Sequence, residues 1–431
     1  MRSVFSAKRQ SAREGPSHGM GLHLPLRNQR NLWSDMEAAM FILKKVTLIF
    51  LLLAGLAACG TNSTTLQPPT PVPANTKTAI PATPTATPTI TPIPPLNSPS
   101  GPPLKSIHMF TPADGWGLIS DSLLITHNGG INWFSVPMSD GQLDDQSDAF
   151  FFDVNTAYLL VPSADRQTGQ LYFTSNGGGT WQISNVPFLR GQLIFRGGIG
   201  YFLQLTATAS DLMKVVIFAS QDNGLTWTAI YPGQQQSADT TIPDSAIKTG
   251  AAFISPERGW LGAASQRGKI TLYRTTNAAI DWGFQQLPAP QNIASLTTTT
   301  LPPIFFPDNS SDGLLPVDFI STDTGDRNRV FYATADAGEN WSPGGSVIDA
   351  EAYTFLDPKT GWVWGKHGLY FTNDGAQSWQ LLPVAFGKSE HATYINFIDI
   401  NTGWLLTADA KNRVRIYATH DGGNTWMAVN P

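Results

Sequence analysis

The sequence predicts an all-β chain in which residues 105–431 form a seven-bladed β-propeller of four-stranded antiparallel blades, and three observations predict it. First, one short pattern returns seven times: a hydroxyl residue, an Asn or Asp two places on, a small residue two further, and a Trp three beyond that. The copies run Thr126 to Trp133, Thr174 to Trp181, Ser220 to Trp227, Thr275 to Trp282, Thr334 to Trp341, Thr372 to Trp379 and Thr419 to Trp426. Second, their Trp residues stand 48, 46, 55, 59, 38 and 47 apart, close to the ~40–50 residues of a four-stranded propeller blade. Third, a corner precedes every copy: Gly115-Trp116, Ala157-Tyr158, Gly200-Tyr201, Gly259-Trp260, Gly313-Leu314, Gly361-Trp362 and Gly403-Trp404.

Taken in order, the chain begins with residues 1–39, which carry scattered Arg, Pro and Gly without apolar periodicity. They read as a disordered extension upstream of the native start. Residues 40–58 hold Lys44-Lys45 and then an apolar run from Val46 to Ala58. A basic start, a short apolar stretch and small residues before a cut describe a secretory signal, too short for a stable membrane span. Leu56-Ala57-Ala58-Cys59 resembles the bacterial lipobox, which implies that Cys59 becomes diacylated and is the first residue of the mature chain. The alternative is an ordinary signal peptide with an incidental cysteine. Cys59 is the single cysteine, so no internal disulfide framework is available. Residues 59–104 are the lipidated Cys and a linker rich in Pro and Thr, with too few apolar groups to offset the entropy of ordering it. At ~3 Å per residue this tether reaches on the order of 100 Å when extended. The expected location is extracytoplasmic, anchored to a membrane.

Composition agrees with an exported β-protein. Charged residues are only 14% of the chain, against a usual ~25%. Eight of the 27 basic and three of the 32 acidic residues precede Cys59, which leaves 19 and 29 after it and a net charge of about −10. Such a surface is a poor partner for nucleic acid, whose binding rests on neutralising phosphates. The seven histidines, two of them before Met40, show no metal spacing, and neither a Gly-x-Ser-x-Gly elbow nor a phosphate loop occurs. No cofactor and no metal are expected, and the chain is expected to be a monomer.

Each blade follows from local chemistry. Short β-prone runs such as Leu123 to Ile125, Leu171 to Phe173 and Val216 to Phe218 lead into the repeated pattern, and the Trp behind it opens another strand. In between, the side chains of Asn128, Asn176, Asp222, Asn277, Asp336, Asp374 and Asp421 are placed to accept backbone N–H groups, and Gly supplies positive φ. Those side chains could instead suggest calcium or a catalytic carboxylate. Seven copies at an outer corner, with Ala278-Ala279 and Ala376 where Gly is expected, favour structural turns. Corners and turns then share one face. Length variation falls on the opposite face, where Tyr231–Gly250, Leu287–Asp312 and segments holding Asp165-Arg166, Asp211 to Lys214 and Asp323 to Arg329 form long connections over blades two to five. Those connections are the candidate binding surface, or tolerated insertions. Phe305-Phe306 are contacts there, or pack against neighbouring blades.

The repeats resemble Asp-box (BNR) repeats, and the pairing of Gly-Trp corners with them is similar to the photosystem II assembly and stability factor family, over Ser106 to Pro431. That resemblance implies a protein-binding scaffold or assembly factor for a membrane or cell-surface complex. The same repeats occur in sialidases, so a cell-surface glycan-binding module or a sialidase-like glycoside hydrolase is the alternative. Such a hydrolase needs three converging arginines, a Tyr with a partner Glu, and an Asp acid/base. Arg190, Arg196, Arg258, Arg274, Arg327, Arg329, Arg413 and Arg415 sit in no matching motif, no Arg-Ile-Pro occurs, and the alternation in Arg413 to Tyr417 puts Arg413 and Arg415 on one strand face, read as the solvated one. No catalytic residue is assigned, and the partner is an unidentified protein or glycan.

Overall fold

The computed structural model describes residues 104–429 except 139–142, 145–146, 165, 210–211, 233–240, 266–267, 292, 294, 307–308, 322–323, 385 and 387–389. The upstream extension, the signal segment, Cys59 and the linker lie outside the described residues, as do Asp165, Asp211 and Asp323. Among the described residues there are strands and turns and no helix.

The first sheet shows the plan. Ser106–Met109, Gly115–Leu118, Leu123–Thr126 and Phe134–Ser135 pair antiparallel in chain order. Residues 148–186, 192–231, 352–381 and 391–429 repeat it as four further four-stranded antiparallel sheets. Residues 248–348 depart from it. There, two such successions of four are joined into one nine-stranded sheet by Ser295–Thr300, which pairs with the end of Gly259–Ser265 on one side and with Asn309–Ser321 on the other. The stretch Leu287–Asp312, expected as a loop, therefore contains two strands, this one and Ile304–Phe306. The run Thr297 to Thr300 suits a strand because β-branched side chains pack well on a pleat, and Thr298 and Thr300 are fully buried. The first and last sheets are each built from consecutive strands.

Packing is sheet against sheet, and each apolar cluster lies between two neighbours in the chain. Trp116 and Leu123 meet Phe151 and Leu159 between the first and second groups of strands. Corresponding clusters join second to third around Phe188 and Phe202, third to fourth around Tyr201 and Phe253, and fourth to fifth around Trp260 and Phe305. The series continues with fifth to sixth around Phe331 and Phe355, and sixth to seventh around Trp362 and Phe397. The last cluster brings Ile107 and Met109 against Trp404 and Leu406, so the seventh group packs on the first. Phe305 and Phe306 are buried in these clusters, which settles their role as packing. Each fully buried aromatic adds ~2–3 kcal/mol of burial.

The corner aromatics fasten neighbours together. The Trp116 indole N–H donates to the carbonyl of Asp153 and that of Trp362 to Gly422, each at 2.9 Å, while the Tyr158 hydroxyl donates to Asn223 at 3.0 Å. Trp404 closes the series, donating to Gly129 of the first group across 275 residues at 2.9 Å. Edge groups of the first strands are satisfied by side chains: Gln192 both donates to and accepts from Ala251, and Asn396 accepts from the N–H of Met109. These pairings answer the need of an unpartnered strand edge for hydrogen bonds.

Candidate ligand-binding face

The seven repeated stretches fold alike. In each, the hydroxyl accepts the N–H four residues on, as Gly130 N–H to Thr126 Oγ1 at 2.9 Å, and donates to the Asn or Asp two residues on, as Thr334 to Asp336 at 2.8 Å. The Asn or Asp oxygen accepts a later N–H: Asn128 from Asn132, Asn176 from Thr180, Asp222 from Thr226, Asn277 from Asp281, Asp336 from Asn340, Asp374 from Ser378 and Asp421 from Thr425, all within 2.8–3.0 Å. Two successive residues in each turn have positive φ, including Ala278 at 60° and Ala279 at 64°. An alanine in that region costs ~1–2 kcal/mol relative to glycine, partly offset by the greater unfolded-state freedom of glycine. Ala279 is buried, whereas Ala278 is only half-buried, so Ala278→Gly is expected to raise stability by about 0.5–1 kcal/mol. A lower melting temperature would refute this.

The turn carboxylates are acidified by their own bonds. The Thr226 hydroxyl and N–H hold Asp222 down at about 2. The Asn340 amides lower Asp336 and the Ser378 hydroxyl lowers Asp374. At Asp421 burial works the other way, but the bonds from Thr425 and Thr419 outweigh it. A folded-state value below the unfolded ~3.9 gives stability that is complete above that value and is lost as the pH falls towards about 2. Asn128, Asn176 and Asn277 contribute nothing to this loss. Asp222→Asn is therefore expected to flatten the fall of urea stability between pH 4.5 and 2.5, and an unchanged slope would remove the turn from the account of acid unfolding.

Carbonyls of the preceding corner receive the turn amides in six of the seven repeats, as Gly129 N–H to Ala113 and Gly422 N–H to Asn401. Corners and turns thus share one end of the sheets, and the longer connections lie at the other. There the third group extends as a hairpin, Ile199–Ala209 with Leu212–Ser220, whose outer residues Thr206 to Ala209 are exposed. Lys248 ties it down. This lysine is fully buried and its Nζ donates to the carbonyls of Met213, Ser245 and Ala246 at 3.2, 2.8 and 3.0 Å, and to Pro243. Burial lowers its pKa to about 8, against the pull of Asp244. No sequence signal marks Lys248, since a lysine in a β-prone run reads as surface.

The fifth group carries a second long hairpin, Asn309–Ser321 with Arg327–Thr334. Arg329 forms two parallel bonds to the directly opposed Asp318, at 2.6 and 2.8 Å, with both side chains buried, and its guanidinium lies 5.2 Å from the Tyr353 ring centre. Six further arginines are also paired: Arg196 with the carbonyl of Phe253, Arg258 and Arg274 with Glu339, Arg327 with the carbonyl of Ala350, Arg413 with Asp409, and Arg415 with Glu390. Arg415 is a correction to its expected solvated place: its side chain is 14% exposed, and Glu390, at 4%, also accepts from the Tyr417 hydroxyl at 3.3 Å. Burial first, then Glu390, raises Tyr417 to about 12.

Between the fourth and fifth groups, towards the long-connection end, lies a cavity of about 250 Å³. Its walls include Lys269, Ile270, Phe284, Leu287, Pro290 and Phe319. Phe284 is 44% exposed, and the Lys269 Nζ stands 4.4 Å above its ring. Leu212 and Ile320 are exposed apolar side chains on the two long hairpins.

No family model matches the chain, and no curated protein matches it. Among solved structures it is similar to YCF48 bound to D1 peptide, at 16% identity and a TM-score of 0.48, over 77% of this chain and 99% of that one. It is also similar to a polysaccharide lyase of family PL25, an ulvan lyase, at 13% identity and a TM-score of 0.47, over 76% of this chain and 94% of the other. A sialidase of Trypanosoma rangeli is similar at 14% identity and a TM-score of 0.38, over 57% of this chain and 48% of that one.

Proposed function

We propose that this chain is a lipid-anchored, extracytoplasmic seven-bladed β-propeller with Asp-box turns that binds a protein of a membrane or cell-surface complex through its long-connection face, without catalysis. The seven groups of four strands are its blades, with the fourth and fifth fused by Ser295–Thr300. The closed order of packing, from first group to seventh and back to first, supports a ring. The seven turns serve as its structural corners.

The observation that carries the binding reading is the contrast between the two ends. At the turn end every repeated Asn and Asp is committed to its own turn. The long-connection end offers exposed Leu212 on one protruding hairpin and exposed Ile320 on another, the latter adjoining Phe319 of the cavity wall, the mixture of apolar anchor points and polar rim that protein partners use. A hydrolase would need arginines free to hold a substrate carboxylate, and seven of the eight arginines considered above already hold a carboxylate or carbonyl of this protein. The sequence resemblance to the assembly-factor family points the same way.

The test is capture from detergent-solubilised membranes by the lipidated chain, against a Leu212→Asp, Ile320→Asp variant. Shortening the connections themselves is unsuitable, because one contains a strand of the nine-stranded sheet and the other the carbonyls around Lys248. A membrane protein recovered by the parent and lost by the variant supports a scaffold. Equal recovery by both moves binding to another surface. Cys59→Ser is expected to release the chain from the membrane fraction, and retention after high-salt washing would refute the lipid anchor.

A further inference from the structure

We infer that the cavity between the fourth and fifth groups is a socket for one aromatic side chain of the partner, in a segment whose adjacent residue is acidic. This inference rests on the protein-binding reading above and names the chemistry its partner would present.

Size comes first. Pockets for whole small-molecule ligands usually span ~300–1,000 Å³, whereas about 250 Å³ accommodates one ring-sized group. The walls decide which group. Ile270, Leu287, Pro290, Ile293 and Phe319 are apolar and Gln286 and Lys269 are the polar side chains of the lining, so a sugar ring has two polar side chains to share among its hydroxyls and leaves the remainder facing apolar walls, at ~1–3 kcal/mol each. An aromatic side chain has no such requirement, gains its burial, and meets Phe284 and Phe319 at ring edges or faces. An anchor in a pocket of this kind is where binding energy concentrates in protein interfaces.

Charge complementarity selects the neighbour. Lys269 is exposed at the rim, its ammonium held over the Phe284 ring, and none of the residues lining the cavity is acidic. It is a local positive point on a chain whose formal net charge is −5. A carboxylate one residue from the inserted ring would meet it, while a lysine there would be repelled.

The experiment uses blocked tetrapeptides with Phe-Glu, Phe-Lys or Ala-Glu at the centre, and methyl glucuronide, titrated against the full chain by saturation-transfer NMR. Phe-Glu is expected to bind best, with roughly a threefold preference over Phe-Lys, the size of an exposed charge pair. Lys269→Glu should invert that preference while leaving the melting temperature unchanged, and Ala289→Trp, which fills the cavity from its exposed rim, should abolish binding of both Phe peptides. Equal binding of Phe-Glu and Ala-Glu, stronger binding of the glucuronide, or an uninverted preference in Lys269→Glu would each overturn the socket. Membrane-protein capture that survives Ala289→Trp would also overturn it as the anchor and leave the scaffold reading standing. No capture by the parent chain, with the peptide preferences intact, would instead remove the scaffold reading and leave the socket's chemistry in place.

Discussion

Lys248→Met is expected to lower the stability of the domain by about 3 kcal/mol, a fall of roughly 4–5 °C in melting temperature for a domain of this size. Methionine keeps most of the buried stem but has no donor, so the carbonyls of Met213, Pro243, Ser245 and Ala246, which converge on Nζ, lose their shared partner. The four acceptors are only partly buried, so each one left unpaired costs about 1 kcal/mol, the low end of the range for a lost buried partner. Their sum would exceed 3 kcal/mol, but the substitution also removes the cost of keeping an ammonium out of water, which is what pulls the lysine down to about 8. The loss should be local first. Met213 belongs to the extended hairpin and Pro243 to Ala246 to the connection beside it, so hydrogen exchange should quicken there before elsewhere. A melting temperature within about 1 °C of the parent, about 0.7 kcal/mol by the same scaling, would show that water replaces the ammonium at little cost.

What the sequence discloses and what it hides divide along physical lines. The turns are legible because Asn128 or Asp421 acts on amides two to four residues away, so residue type and short spacing carry the whole geometry. Corners such as Gly115-Trp116 are legible for the same reason, although where Trp404 would donate was not, because its acceptor at Gly129 lies at the other end of the chain. Ser295–Thr300 was missed as a strand: it lies inside a stretch read as a loop from its length alone, and its partners come from two different repeats. Arg415 was misplaced because strand alternation says which residues share a face and not what covers it, and Glu390 covers it from a connection 25 residues away. The cavity leaves no mark at all in the sequence, since Lys269, Phe284 and Phe319 are brought together by two groups of strands packing side by side.

Asp318→Ala should cost about 3–5 kcal/mol, the usual penalty for leaving one member of a buried ion pair without the other. Asp318 and Arg329 face each other across adjacent strands, both nearly excluded from water, and the guanidinium is raised above its ordinary value because the Asp318 charge and hydrogen bonds outweigh its burial. Arginine does not relieve the problem by losing its proton, so the variant must either keep a bare guanidinium against Tyr353 or open the hairpin to water. Arg327 adds to the problem, since it stands 3.9 Å from the Asp318 carboxylate and the variant leaves this second guanidinium without that counter-charge, with its bond to the carbonyl of Ala350 at 2.7 Å. The companion variant separates stability from specification. Asp318→Leu with Arg329→Met removes both charges and fills the same space, and is expected to lie within about 1–2 kcal/mol of the parent, because well-packed apolar replacements of buried pairs are often neutral or better. If the double variant is as unstable as Asp318→Ala, the pair contributes net stability that apolar packing cannot replace. If it recovers, the pair's contribution is register: it holds Asn309–Ser321 opposite Arg327–Thr334, and with them the exposed Ile320 at the hairpin's outer end.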